Sequence, residues 1–189
     1  MSSSKKTQKL SPAEFLQLVV TVAESGRYEE ALRIAADAVE QSPDLRNVRG
    51  VCLMRMGRAR EAVQLYRSYI LAPNCTWMRT DLPVIHRTNF ATALMLAGLT
   101  LGGRDSLSEI REVDHPSVVR LKQSLAEWQR KLAWWQRIWF RMGIAPEIPV
   151  EIRFIPGDLV DVATSISPVD GSSRLPGPPT GAVTLRQTI

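Results

Sequence analysis

Four side chains in this 189-residue sequence have the chemistry of soft metal ligands: Cys52, Cys75, His86 and His115. None stands two to five residues from another, as paired ligands of structural zinc sites do, so no metal centre is expected. Glu29-Glu30 has the composition of a carboxylate pair for acid–base work. Adjacent helical residues point about 100° apart, however, and the pair reads as a solvated first turn. Gly102-Gly103-Arg104-Asp105-Ser106 lacks the Gly-Lys-Ser/Thr ending of a phosphate-cradling loop. No Gly-x-Ser-x-Gly nucleophile elbow occurs either. The residues point to a protein that is not an enzyme and needs no cofactor. What remains is the chemistry of recognition.

The elements that would position recognition residues are helical and recur. Ser11-Pro12-Ala13-Glu14 combines a serine cap, a first-turn proline and a glutamate three residues on, which predicts a capped helix start. Phe15, Leu18, Val19 and Val22 then follow at helical spacing. Gly26 is the expected left-handed terminator, and a second helix begins near Tyr28 with the small residues Ala31, Ala35 and Ala38 in a stripe. Ser42-Pro43 restarts the pattern: Leu45, Val48, Cys52 and Met56, then Gly57, then Ala59, Ala62, Val63, Tyr66 and Ile70 up to Pro73. A third helix pair runs from about Leu82 to His115-Pro116 with Gly98 at its turn. The second helix of that pair is weakened by Gly102-Gly103, since glycine costs about 1 kcal/mol relative to alanine in a helix. It is expected to start late, at a Ser106 cap, and to be short.

Gly26-Arg27-Tyr28-Glu29-Glu30-Ala31-Leu32 … Pro43 and Gly57-Arg58-Ala59-Arg60-Glu61-Ala62-Val63 … Pro73 resemble the tetratricopeptide repeat (TPR) family. The resemblance covers about 12–116, as two good copies and one decayed one. It implies an all-α, right-handed TPR-like helical solenoid of about three helix pairs, 11–42, 43–73 and 82–115. In such arrays the first helix of each pair lines a concave groove, so the resemblance implies a protein or peptide partner bound there. The residues it points to are Gln17, Val20 and Glu24, then Asn47, Val51, Met54 and Arg55, then Asn89, Thr92 and Met95. Asn47 and Arg55 suit a peptide carboxylate or backbone, Arg through its two-pronged guanidinium. The groove has few lysines, which sets it apart from the carboxylate-binding members of the family. The pattern also departs from the family at 74–81, where the apolar Trp77 and Met78 either fold back on the repeats or wait for a partner.

From Pro116 the chain carries Val118, Leu121, Leu125, Trp128, Leu132, Trp135, Trp139 and Met142, in steps of three and four. That stripe predicts one long amphipathic helix over 117–143. Between Pro116 and Met142 six cations face Glu127 alone, so this stretch carries all of the chain's formal +5 charge. Three readings fit it. The stripe could cap the open end of the array. Trp134, Trp135, Trp139 and Phe140 with Arg137 and Arg141 could rest in a membrane interface, and Trp77 could add to such a second surface. Aromatic and basic residues could also stack on nucleic acid, the least supported reading because such proteins carry a broader charge field. The chain also resembles a loosely defined group of small bacterial TPR proteins with a Trp-Trp-containing C-terminal helix, a likeness that carries no activity.

Residues 144–162 read as an extended segment, with a short strand at Val150-Glu151-Ile152-Arg153-Phe154 that turns at Pro156-Gly157. A lone strand needs a partner, and lying along the Trp-rich helix would hide both apolar faces. Residues 163–189, rich in Pro, Gly and Ser, read as a flexible tail, as do 1–10 at the other end. No signal peptide and no run of twenty apolar residues occurs. A reducing cytoplasm is the expected compartment, with the inner face of the membrane as the place for the interfacial reading.

Overall fold

The computed structural model describes residues 10–38, 41–146 and 148–161. The expectations for 1–9 and for the tail 163–189 lie outside them. Regular structure among the described residues is helical: α1 (Pro12–Glu24), α2 (Tyr28–Ala36), α3 (Pro43–Arg55), α4 (Ala59–Ile70), α5 (Val84–Leu96), α6 (Thr100–Glu109), α7 (Pro116–Lys131) and α8 (Trp134–Arg141). The predicted capping box opens α1: Glu14 N–H donates to Ser11 Oγ at 3.3 Å and Ser11 N–H to Glu14 Oε2 at 2.8 Å. Ser42 Oγ caps α3 in the same sense, accepting from Leu45 N–H at 3.2 Å.

The turns α1–α2, α3–α4 and α5–α6 are built alike. Gly26, Gly57 and Gly98 have φ of +81, +76 and +80°, a region a side chain disfavours. Each donates three residues back, to Ala23, Met54 and Met95 O. The residue after each donates five back, to Val22, Leu53 and Leu94 O, closing the same two-bond cap three times. Short turns make neighbours antiparallel, and each even helix from α2 to α6 packs between the odd helices on either side of it. The odd helices α1, α3, α5 and α7 also pack in a row. One apolar cluster joins α1, α2 and the Leu45–Val48–Cys52 face of α3, and a larger one runs from α3 to α8 around the fully buried Tyr66 and Ile70.

Three expectations are corrected. α6 does not start late at Ser106 but at Thr100, with both glycines inside it. A Cβ on Gly103 would stand 2.6 Å from Met95 Cγ and 3.0 Å from the carbonyl oxygen of Ala91. Close approach to α5, which outweighs propensity, is what that glycine supplies. The long helix over 117–143 is two helices: Leu132 and Ala133 are extended, with ψ of 144 and 152°. Arg137 holds the break, donating from Nε to Leu132 O at 3.1 Å and from Nη2 to Arg130 O at 2.5 Å. Gln136 Oε1 meanwhile accepts from Ala133 N–H at 2.9 Å. The strand at 150–154 does not form, and the one bridge outside the helices among the described residues joins Leu71 to Met78. Fold-back of the 74–81 insertion is divided: Met78 is buried there and donates its N–H to Glu109 Oε2 at 2.9 Å, while Trp77 stays exposed.

Candidate functional site

The residues read as groove-lining fall in three settings. Gln17 and Glu24 are exposed on α1, whereas Val20 is buried in the α1–α3 core. Met95 turns toward α6, where it meets Gly103, and Thr92 Oγ1 closes on its own helix by donating to Thr88 O at 2.9 Å. Asn47, Val51, Met54, Arg55 and Asn89 come together on the face shared by α3 and α5, and all but the half-buried Arg55 are buried. The chain itself lies on them.

Residues 150–161 cross this face as a strap without regular structure. Arg55 donates from Nε to Pro156 O at 3.1 Å and from Nη2 to Gly157 O at 2.9 Å. The side-chain amides of Asn47 and Asn89 both donate to Asp158 O, at 3.1 and 2.8 Å. Asp158 N–H returns a bond to Asn89 Oδ1 at 3.0 Å. Asn89 also donates to Asn47 Oδ1 at 2.8 Å, and Tyr66 Oη to the same oxygen at 3.2 Å, so the amides are fixed before they reach the strap. Buried amides are costly unless paired, and here the strap's backbone supplies the partners.

α7 completes the site, and its contribution was not read from the sequence. Ser117 and Arg120, three apart on one helical face, both bind the Asp158 carboxylate. Ser117 Oγ donates at 2.5 Å, and Arg120 Nη2 lies 2.7 Å from each carboxylate oxygen. The Arg120 guanidinium also covers the Phe154 ring at 4.6 Å. His115 accepts the Ser117 N–H on Nδ1 at 3.3 Å and turns Nε2 to Asp161 Oδ1 at 3.1 Å. Lys131–Glu151 at 2.5 Å and Arg153–Glu127 at 4.0 Å lie exposed at the strap's near end and contribute little. The signal available was Pro156-Gly157 followed by an acid, which reads as an ordinary turn.

Among the described residues no His, Cys, Asp and Glu side chains are grouped so as to hold a metal ion. Cys52 is fully buried, and burial pushes its thiol up to about 11, away from thiolate chemistry. Burial drives His86 the other way, down to about 4, although Asp44, 3.3 Å from Nε2, and Asp161 favour its charged form. The folded protein therefore holds His86 neutral where the unfolded chain, near 6.5, takes up a proton. Its contribution is intact above about pH 6.5 and is lost as pH falls toward 4, about 2–3 kcal/mol over that window. Urea midpoints between pH 7.5 and 4.5 check this: His86→Phe should flatten the slope relative to the unaltered chain, and equal slopes would exclude the assignment.

A second surface is apolar and uncovered. Trp134 is 73% exposed and Trp139 50%, with Trp135 and Ile138 exposed beside them. Trp135 and Trp139 meet edge to face at 5.0 Å. Phe140 does not belong to this surface: it is buried edge-on against Trp128 at 5.2 Å, beneath the Arg104 guanidinium. Arg141 is exposed on the same short helix, whereas Arg137 is engaged in the α7–α8 break. Trp77, also exposed, stands on the α4–α5 connection. No helix among the described residues is long and apolar enough to cross a membrane. Comparisons of the chain with family models, with curated proteins and with solved structures found no match.

Proposed function

We propose that this chain is a non-enzymatic interaction protein, a TPR-like stack of helix pairs whose inner face holds an extended segment of another polypeptide. The observation that carries the reading is the strap. Asn47, Arg55 and Asn89 take hold of main-chain N–H and C=O groups at 156–158, and any polypeptide offers those groups. The thrice-repeated glycine cap and the row of odd helices support the stacked-pair arrangement. A partner reaches the face by replacing the strap, which is tethered and so competes at millimolar effective concentration. Weakening the tethered copy exposes the site: a labelled peptide of residues 150–161 should bind the full-length Asp158→Ala chain in an anisotropy titration. Binding should disappear when Asn47→Ala and Asn89→Ala are added. A peptide that binds neither chain would remove the reading.

The exposed indoles of α8 favour a second reading, a peripheral contact with an anionic bilayer. Indoles prefer headgroup depth, and Arg130, Lys131 and Arg141 on α7 and α8 are exposed near them in sequence. Flotation with phosphatidylglycerol-containing vesicles tests it. The protein should rise with them, and Trp134→Ser/Trp139→Ser should leave it at the bottom. An unaltered chain that stays at the bottom sinks this reading.

A further inference from the structure

Two neighbouring residues of the strap, Gly157 and Asp158, fit the face most closely, and they define what else would fit. We infer that the inner face selects a Gly-Asp pair in a segment that bends at the glycine, with residues 156–158 as the resident copy of that ligand. The inference rests on the polypeptide-binding reading above and names the class of segment.

The glycine is required twice over. Gly157 has φ +77°, and a Cβ there would stand 2.7 Å from Met54 Cε and 2.8 Å from Val51 Cγ2. Met54 ends in a flexible methyl and could swing aside. Val51 cannot: it is fully buried in mid-helix, and a β-branched side chain has essentially one rotamer there. Any side chain at that position meets both left-handed strain and a fixed wall.

The aspartate is required by reach and by charge. Its carboxylate stands one methylene from a backbone that Asn89 holds at both N–H and C=O. Ser117 Oγ at 2.5 Å and Arg120 Nη2 at 2.7 Å close on it from α7. Glutamate on the same anchored backbone would carry its oxygens past them, and asparagine would lose the charge that strengthens both bonds. Apart from the buried Val150 and the His115–Asp161 pair, the other strap side chains are read less strictly. Ile155 is 69% exposed, Val160 is half exposed, and Phe154 and Leu159 are only partly covered. Among the described residues no backbone–backbone hydrogen bond ties 150–161 to another element. A segment gripped by side-chain donors chiefly at 156–158, with His115 on Asp161 and Lys131 on Glu151 at its flanks, and by no ladder can be exchanged for another with the same pair.

The test uses the full-length chain carrying Gly157→Val, which disables the resident copy, and labelled peptides of residues 150–161. Circular dichroism confirms the helices, and the Asp158→Ala chain serves in its place if they are lost. The unaltered peptide should bind the variant at least tenfold more tightly than it binds the unaltered chain. The same peptide carrying Gly157→Ala or Asp158→Asn should each bind at least tenfold more weakly. Equal binding of all three peptides would overturn the Gly-Asp selectivity while leaving the polypeptide-binding reading intact. No binding by any peptide would overturn both, making the strap a permanent part of the fold.

Discussion

Gly50→Ala should cost about 2–3 kcal/mol of stability, lowering the urea midpoint by about 1 M. Gly50 lies inside α3, where alanine would ordinarily gain up to about 1 kcal/mol. At this position a Cβ would stand 2.4 Å from Tyr66 Cζ and 2.6 Å from both Cε2 and Oη. Tyr66 has no exposed surface, and the Tyr69 and Phe90 rings sit 5.9 and 6.3 Å from its own. Its hydroxyl is also committed to Asn47. The ring cannot swing out, so α3 and α4 must separate, and overpacking of that kind costs about 1–3 kcal/mol on top of the lost hydrogen bond. Gly102→Ala is the contrasting control, since its Cβ would meet only Leu94 methyls at 3.8 Å. That variant should be neutral or slightly more stable. Equal midpoints for both variants would mean that contact with Tyr66 does not limit residue 50.

Asn89→Ala should release the strap while the helices stay folded. The side chain makes three bonds, two of them to the strap, and the Asp158 N–H would lose its acceptor on a part-buried segment. Leaving such groups unpaired costs about 1–3 kcal/mol each. The Asp158 amide reports this directly, because Asn89 Oδ1 is its acceptor. Hydrogen exchange at that amide should accelerate by about thirtyfold or more, the equivalent of ~2 kcal/mol. Amides in the middle of α3 should slow or quicken far less. An unchanged Asp158 amide would show that other contacts hold the strap closed.

The helix starts and hairpin turns were legible because local chemistry makes them: serine oxygens cap α1 and α3, and glycines take positive φ after α1, α3 and α5. The start of α6 is not legible because local and tertiary demands conflict there, Gly103 being costly for the helix and needed for its approach to α5. The break after α7 left no trace, since no glycine or proline marks Leu132-Ala133 and a three-four stripe continues across it. Alternation at 150–154 did report burial, with Val150, Ile152 and Phe154 turned inward and Glu151 and Arg153 outward, but the partner is a helical face rather than a strand. Asn47, Arg55 and Asn89 could be named from the repeat pattern. Their partner, about a hundred residues away from the first two, could not, because nothing local encodes which distant segment meets a helix face.

Synthesis runs from the N-terminus, so the strap is made after everything it covers. Leu96, the last residue of α5, precedes Asp161 by sixty-five residues. At about 5–20 residues per second the ribosome needs roughly 3–13 s for that stretch. Throughout that interval a nascent chain shows water the Asn47 and Asn89 amides and the Arg55 guanidinium, with only Val51 and Met54 as apolar neighbours on that face. Such a surface stays wetted while it waits, so a growing chain can delay its final closure without inviting aggregation.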